Sequence, residues 1–361
     1  MITDKERLLG GATYRTTGIG SLPHHNTDAA LTYSFKYGIP FLPQIPIRNP
    51  WEFMIAQALE GLPGLQLGSE AQACLNLDIW RSESHRLDHR LNQAFSVDPN
   101  SARIDQAFES FEPSAPSSSS WQPFLWELQE HDRKVAKVQI SGPLTSQWSL
   151  RLKDQSPADQ IPELSTQIFR LVLAKSLALV YRMKSCGIQP ILFIDEPGLY
   201  AFSIKQPRHL LALQELKLMI QSLKKAGGWV GLHCCSNTHW ESILKLGLDF
   251  LSLDVQLSLS EALTAGGGQA MADFIQTGGR LCLGIIPTHQ NATLAQLDPR
   301  EVSDGTLEIF AKNWEPHLQL LPQVLREALF TPACGLALHS PSDAELVLEK
   351  LAETYESFNF A

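Results

Sequence analysis

The sequence is short of charge, and shorter still of positive charge. Only 19% of its 361 residues are charged, and 29 basic residues stand against 38 acidic ones, for a net charge of −9. An acidic chain without a basic run is a poor partner for nucleic acid or an anionic membrane surface. Long apolar runs are missing as well. The nearest, Ile168–Met183, is interrupted by Arg170, Lys175, Ser176 and Arg182, whereas a membrane span needs about 20 predominantly apolar residues. Residues 1–15 are polar and have no secretory signal pattern. The expectation is a cytoplasmic protein. Cysteine is sparse, at six residues. A cytosolic chain of this size needs no disulfide staples, so the plain reading of Cys74, Cys186 and Cys282 is buried thiols acting as small hydrophobes. The Gly-rich fingerprint of a dinucleotide-binding fold is absent, which disfavours a doubly wound open sheet.

What is present is alternation. Candidate strands are Thr16–Leu22, Pro40–Ile45, Lys134–Ile140, Pro190–Ile194, Trp229–Cys234, Phe250–Val255, Arg280–Ile286 and Leu329–Leu338. Helical patterns lie between most of them, over Pro162–Cys186, Gln206–Ala226, Trp240–Leu246, Ala262–Thr277 and Asp304–Leu320. Strands alternating with helices specify a parallel sheet with helical crossovers. Eight candidates predict an α/β fold, a (β/α)8 TIM barrel, spanning residues 1–361 as a single domain. The polar stretch 77–131 breaks the rhythm and reads as an insertion between early barrel elements. Its charged part, Arg81–Gln93, suits a helix. Its Ser/Pro tract, Ser114–Ser120, reads as a mobile loop, either a lid or a solvated insertion with no role.

The strongest chemical signal is Trp229-Val-Gly-Leu-His233-Cys234-Cys235. Alternate strand residues share a face, so His233 and Cys235 point one way and Cys234 the other. The C-terminal ends of barrel strands form the active-site mouth. Imidazole and thiolate there make half of a zinc site. Asp254 and Cys334 close two further strands, so His233, Cys235, Cys334 and Asp254 can converge on one metal. Phe193-Ile194-Asp195-Glu196-Pro197 ends another strand with two carboxylates. One of them either caps a helix or turn, or binds a substrate ammonium group. Thr17-Gly18-Ile19-Gly20-Ser21 offers close backbone approach and N–H and hydroxyl donors, or a plain turn. Ser141-Gly142-Pro143-Leu144-Thr145 reads as a turn, and His289 as an isolated imidazole at a strand end.

Taken in order, Ile19-Gly20-Ser21, Gly142-Pro143-Leu144-Thr145, Ile194-Asp195-Glu196-Pro197, His233-Cys234-Cys235 and Pro332-Ala333-Cys334-Gly335-Leu336 resemble the catalytic C-terminal barrel of cobalamin-independent methionine synthase. The wider superfamily includes corrinoid-dependent thiol methyltransferases and uroporphyrinogen decarboxylase, and is built on (β/α)8 barrels. The resemblance implies a Zn2+ site at His233, Cys235 and Cys334, with Asp254 where the family has a glutamate ligand. It implies a small thiol substrate, homocysteine or an analogue, in methionine biosynthesis. Ser21 and Asp195 match positions that hold the amino-acid end of homocysteine, and Gln44 stands where the family has a second carboxylate. His289 matches a histidine that assists the folate leaving group, with Pro287 in place of an aspartate two residues earlier. The extra N-terminal barrel of the full-length synthase, which helps hold folate, has no counterpart, so the expected methyl donor is a methylated corrinoid protein or free methylcobalamin; a methylated folate, with or without a separately encoded partner, is the alternative.

Two other functions compete. A uroporphyrinogen decarboxylase needs clustered cations for its substrate carboxylates, whereas Arg7, Arg15 and Arg48 are isolated. A non-catalytic zinc- or thiol-binding barrel accommodates Gln44, Asp254 and Pro287 as traces of a reduced active site.

Overall fold

The computed structural model describes residues 4–9, 15–68, 72–289 and 294–358. Parts of the N-terminal stretch 1–15 therefore lie outside the described residues. Within them, six strands form one parallel sheet in sequence order: Val135–Ser141, Gln189–Asp195, Trp229–Cys234, Phe250–Asp254, Arg280–Ile286 and Leu329–Pro332. Helices connect them, so the fold is α/β with a curled parallel sheet. Four of the five pairings are continuous ladders, and the fifth, between the last two strands, is broken by a shift between Gly284 and Ile286.

The first two expected strands, Thr16–Leu22 and Pro40–Ile45, are not ladders. They are extended segments held by isolated parallel bridges, Thr16 to Phe330, Ser21 to Gln44 and Phe41 to Lys137. Backbone bonds run from Phe330 N to the Arg15 carbonyl (2.7 Å), from Gln44 N to Gly20 (3.0 Å) and from Lys137 N to Pro40 (2.8 Å). The two sheet edges are thus linked through these segments. Pro40 and Pro43 carry no N–H, and Gly18 and Gly20 weaken an extended backbone, so a regular ladder does not form there. The last strand also ends early, at Pro332 rather than Leu338, which places Cys334 in the loop beyond it.

Two hydrophobic regions flank the sheet. One face packs against the helices in a large core that includes Leu192, Ile194, Leu232 and Leu251. The alternate residues Ile191, Phe193, Phe250, Cys282 and Leu329 form a separate cluster with Leu9 of the short helix Asp4–Leu9. This is the two-residue period of strands buried on both faces. Helix Pro162–Ser185 is long and apolar enough to cross a membrane by length and composition, and 78% of its most apolar window is buried in the protein. Its apolarity answers to packing against both the sheet and the helices of segment 77–131.

That segment differs from expectation. A helix covers Leu77–Phe95, capped by Asn76, and its Trp80, Leu87 and Leu91 are buried. The Ser/Pro tract is not a free loop. Ser117, Ser118 and Ser120 are buried. Glu60 accepts hydrogen bonds from the Ser114 and Ser117 hydroxyls and from Lys175 (2.9 Å), and Glu52 accepts from the Ser119 N–H and hydroxyl. Two carboxylates from the preceding segment therefore tie the tract down. Two expected helices also change. Ala262–Thr277 is broken at Thr264 into Ser260–Leu263 and Ala265–Gln276, next to a weakly helical Gly266-Gly267-Gly268 run. Asp304–Leu320 is replaced by Pro299–Asn313, capped by Asp298, and a 3-10 segment that begins beside Pro316.

Candidate functional site

The sheet register assembles the site. Ser141 pairs with Asp195, Asp195 with His233, and His233 with Ser252. These residues form one row across four strands and present their side chains to the same face.

His233 is buried, and its Nδ1 is hydrogen-bonded to Ser252 Oγ at 2.9 Å. Its Nε2 is buried with no hydrogen-bond partner. A ring nitrogen of His233 and the Sγ atoms of Cys235 and Cys334 form a group whose ligand atoms all lie within 4.8 Å of one another. Both cysteines are free thiols. Interaction between the two thiols lowers Cys235 against burial, and the same interaction together with burial pushes Cys334 up while His233 pulls it down. Cys234 faces the other way. It is fully buried in the helix-side core, and its Sγ donates to the Ser236 carbonyl at 3.1 Å.

The group fits a metal. An Nδ1–H donated to Ser252 leaves the Nε2 lone pair free to ligate, the outer-sphere arrangement that orients a ligating histidine. One nitrogen and two thiols suit zinc, and three protein ligands leave a position open for substrate. Asp254 is not in the group. Its carboxylate accepts from Gln256 N (2.8 Å) and Leu257 N (3.0 Å), capping the turn that follows its strand.

The paired carboxylates divide. Glu196 is fully buried and accepts from Leu144 N (3.0 Å), Thr145 N (2.7 Å) and Thr145 Oγ1 (2.6 Å). It holds the N-terminus of helix Pro143–Ser149, a backbone role the sequence left open. Burial pushes its carboxyl up to about 7 against these three bonds. Asp195 is buried too, yet its Oδ1 has no partner. Burial raises it to about 6, while the charges of Lys137 and His233 pull it down. An unpaired buried carboxylate oxygen in the same row as His233 is equipped to receive an N–H from a ligand.

Ser21 approaches the same centre from the other edge. Its carbonyl accepts from Leu336 N at 2.8 Å, and a Cβ on Gly335 would lie 2.1 Å from its Oγ. The hydroxyl therefore rests on the residue after Cys334. Gln44 is bridged to Ser21, but its Nε2 donates to Gln57 Oε1 at 2.6 Å, and Gln57 Nε2 donates to the Ser117 carbonyl at 2.7 Å. His289 is exposed and lies outside the sulfur–imidazole group. It lines a cavity of about 430 Å³ with Gln256, Pro287 and Gln296. Sequence reasoning did not find Lys137, a buried lysine over the Phe193 ring. Its signal was the alternation of polar Lys137, Gln139 and Ser141 with apolar Val138 and Ile140 along one strand.

No protein-family model matches the chain, and no curated protein matches it. Solved structures similar to it include a B12-independent methionine synthase from Shewanella sp. W3-18-1 in complex with selenomethionine, at 16% identity and a TM-score of 0.45. That match covers 64% of this chain and 65% of the synthase, so the chain spans less than two thirds of that structure's length. A methyltransferase from Methanosarcina mazei matches at 16% identity and a TM-score of 0.45, over 71% of this chain and 67% of the other.

Proposed function

We propose that the chain is a zinc-dependent, cytoplasmic methyltransferase acting on a small thiol, homocysteine or an analogue, with a methyl-corrinoid or a methylated folate as donor. We read its sheet, with the edges joined through residues 15–22 and 39–45, as a (β/α)8 barrel. The observation that carries the function is the convergence of His233, Cys235 and Cys334 beside a buried, unpaired Asp195 carboxylate. The order of the five motifs along the sequence supports it.

His233, Cys235 and Cys334 would hold the metal, which supplies the charge that keeps an incoming thiol ionised at neutral pH. The chain's own residues do the rest. Ser252 fixes the His233 ring. Asp195 receives the substrate ammonium, for which its free Oδ1 is suited. Ser21 addresses the carboxylate end from the opposite edge. Gln44, tied to Gln57, contributes no second carboxylate. That feature also suits a thiol-binding barrel without catalysis, and methyl transfer to any thiol excludes this second reading.

The test is elemental mass spectrometry of the purified chain, followed by a methyl-transfer assay with methylcobalamin or methylated folate. About one zinc per chain is expected, lost in Cys235→Ala and Cys334→Ala and kept in Cys234→Ala. Zinc retained in Cys334→Ala, or a protein that takes up no zinc under reducing conditions, overturns the proposal.

A further inference from the structure

We infer that Lys137 and Gln139 are positioning residues for the segment that presents Ser21, and that they select thiols bearing a carboxylate. The inference rests on the thiol-binding reading above.

Both side chains are buried. Lys137 Nζ donates to the Ile19 carbonyl at 2.5 Å and to Gln139 Oε1 at 3.1 Å. Gln139 Nε2 donates to the Leu42 carbonyl at 2.8 Å. A carbonyl only accepts, so Leu42 dictates which end of the Gln139 amide faces it and turns Oε1 toward the ammonium. One lysine and one glutamine thus grip both extended segments at the point where regular ladders fail.

The grip has a directional consequence. In a planar trans peptide the C=O and the next N–H point oppositely. With the Ile19 carbonyl on Lys137 and the Gly20 carbonyl on Gln44 N, the N–H groups of Gly20 and Ser21 are turned away from those partners. Among the described residues, neither N–H nor the Ser21 hydroxyl makes a hydrogen bond. Gly20 has φ +150°, and a Cβ there would come within 2.5 Å of Gln139 Nε2, so only glycine lies on this amide. The result is two oriented N–H donors and a hydroxyl, backed by a buried ammonium and seated against Gly335, next to Cys334. That donor set is complementary to a carboxylate.

The test is calorimetric titration of the zinc-loaded full chain with two thiols, homocysteine and 3-aminopropane-1-thiol, which differ by the carboxylate. The wild type is expected to bind homocysteine at least about tenfold more tightly. Lys137→Met should keep its zinc and bring the two affinities within about twofold of each other. Gln139→Met, which keeps the lysine charge, should narrow the ratio as well, and it decides the matter if Lys137→Met does not fold. A general loosening of the protein would weaken both thiols together and leave the ratio unmoved. An unchanged ratio in the folded variants, with a discriminating wild type, overturns this inference alone. A zinc-loaded wild type that binds neither thiol overturns the functional reading and this inference with it.

Discussion

Replacing Glu196 by alanine and, separately, Asp195 by alanine is expected to split stability from ligand binding. The two are neighbours in sequence and both are buried, so composition does not separate them. Partners do. Glu196→Ala leaves the N–H groups of Leu144 and Thr145 without their acceptor at the start of helix Pro143–Ser149. Each buried donor left unpaired costs about 1–3 kcal/mol. The Thr145 hydroxyl can turn to another acceptor, and lost methylene packing adds about 1 kcal/mol. Relief of holding a carboxylate in a buried place offsets part of this, leaving a net loss of about 2–4 kcal/mol. The fit is tight, since a Cβ on Gly142 would lie 2.0 Å from Glu196 Oε1. Asp195→Ala removes an oxygen that makes no hydrogen bond, and is expected to cost less than about 1 kcal/mol. Urea unfolding at pH 8, where Glu196 is ionised, reads the stabilities, and homocysteine titration reads binding. Glu196→Ala should be the less stable variant, and Asp195→Ala the one that binds homocysteine at least about tenfold more weakly. If Asp195→Ala proves the more destabilising, or Glu196→Ala keeps full stability and loses the ligand, the division between the two carboxylates is wrong.

Asp254→Ala should keep its zinc, because the carboxylate is spent on Gln256 N and Leu257 N, and should lose about 1 kcal/mol as a cap. Zinc loss in this variant would return Asp254 to the ligand set. Glu60→Gln should cost about 3 kcal/mol by leaving the buried Lys175 ammonium without a counter-charge, and Glu60→Gln with Lys175→Met should recover most of it. The same single variant should speed proteolytic cleavage within residues 112–120, and unchanged cleavage would show that the Ser/Pro tract is held by something else. Lys175 and the Ser114 and Ser117 hydroxyls, outweighing burial, hold the Glu60 carboxyl below its usual range. Its contribution is therefore present above the unfolded carboxylate value and lost as pH falls through the depressed one. In acid titrations of stability, Glu60→Gln should lack that loss.

Much of the sheet was legible because each strand is a short apolar run between helical stretches. Trp229–Cys234 and Arg280–Ile286 appear with the bounds read from sequence. The first two expected strands are extended segments without ladders. A run such as Pro40–Ile45 is extended enough to look like a strand, but its prolines remove the donors a ladder needs. The Ser/Pro tract misled in the opposite sense. Its composition suits a solvated loop, and only tertiary contacts from Glu52 and Glu60, more than 50 residues earlier in the chain, reveal why it is buried. Nothing near Gln44 in sequence marks Gln57, thirteen residues on, as the partner of its amide, or Ser117 as the partner of Gln57. Lys137 carries no local motif, and only its contacts with Ile19 and Gln139 reveal its place at the site.

The site's composition follows from register. In a parallel ladder, residues level with one another stand on adjacent strands and face the same way. The row Ser141, Asp195, His233, Ser252 draws on four stretches of sequence separated by helices, and no local motif contains more than one of its members. The same period assigns the adjacent pairs. Asp195 and His233 share a face, so Glu196 must turn to the helix Pro143–Ser149, and Cys234 must enter the core while Cys235 joins His233. A slip of one residue in Gln189–Asp195 would place Glu196 at the centre and turn Asp195 to the core, and the same slip in Trp229–Cys234 would exchange Cys234 and Cys235. The hydrophobic residues on the helix side, Ile194 and Leu232, forbid that slip because it would carry them to the polar row. Core packing therefore determines which carboxylate and which thiol are available for chemistry.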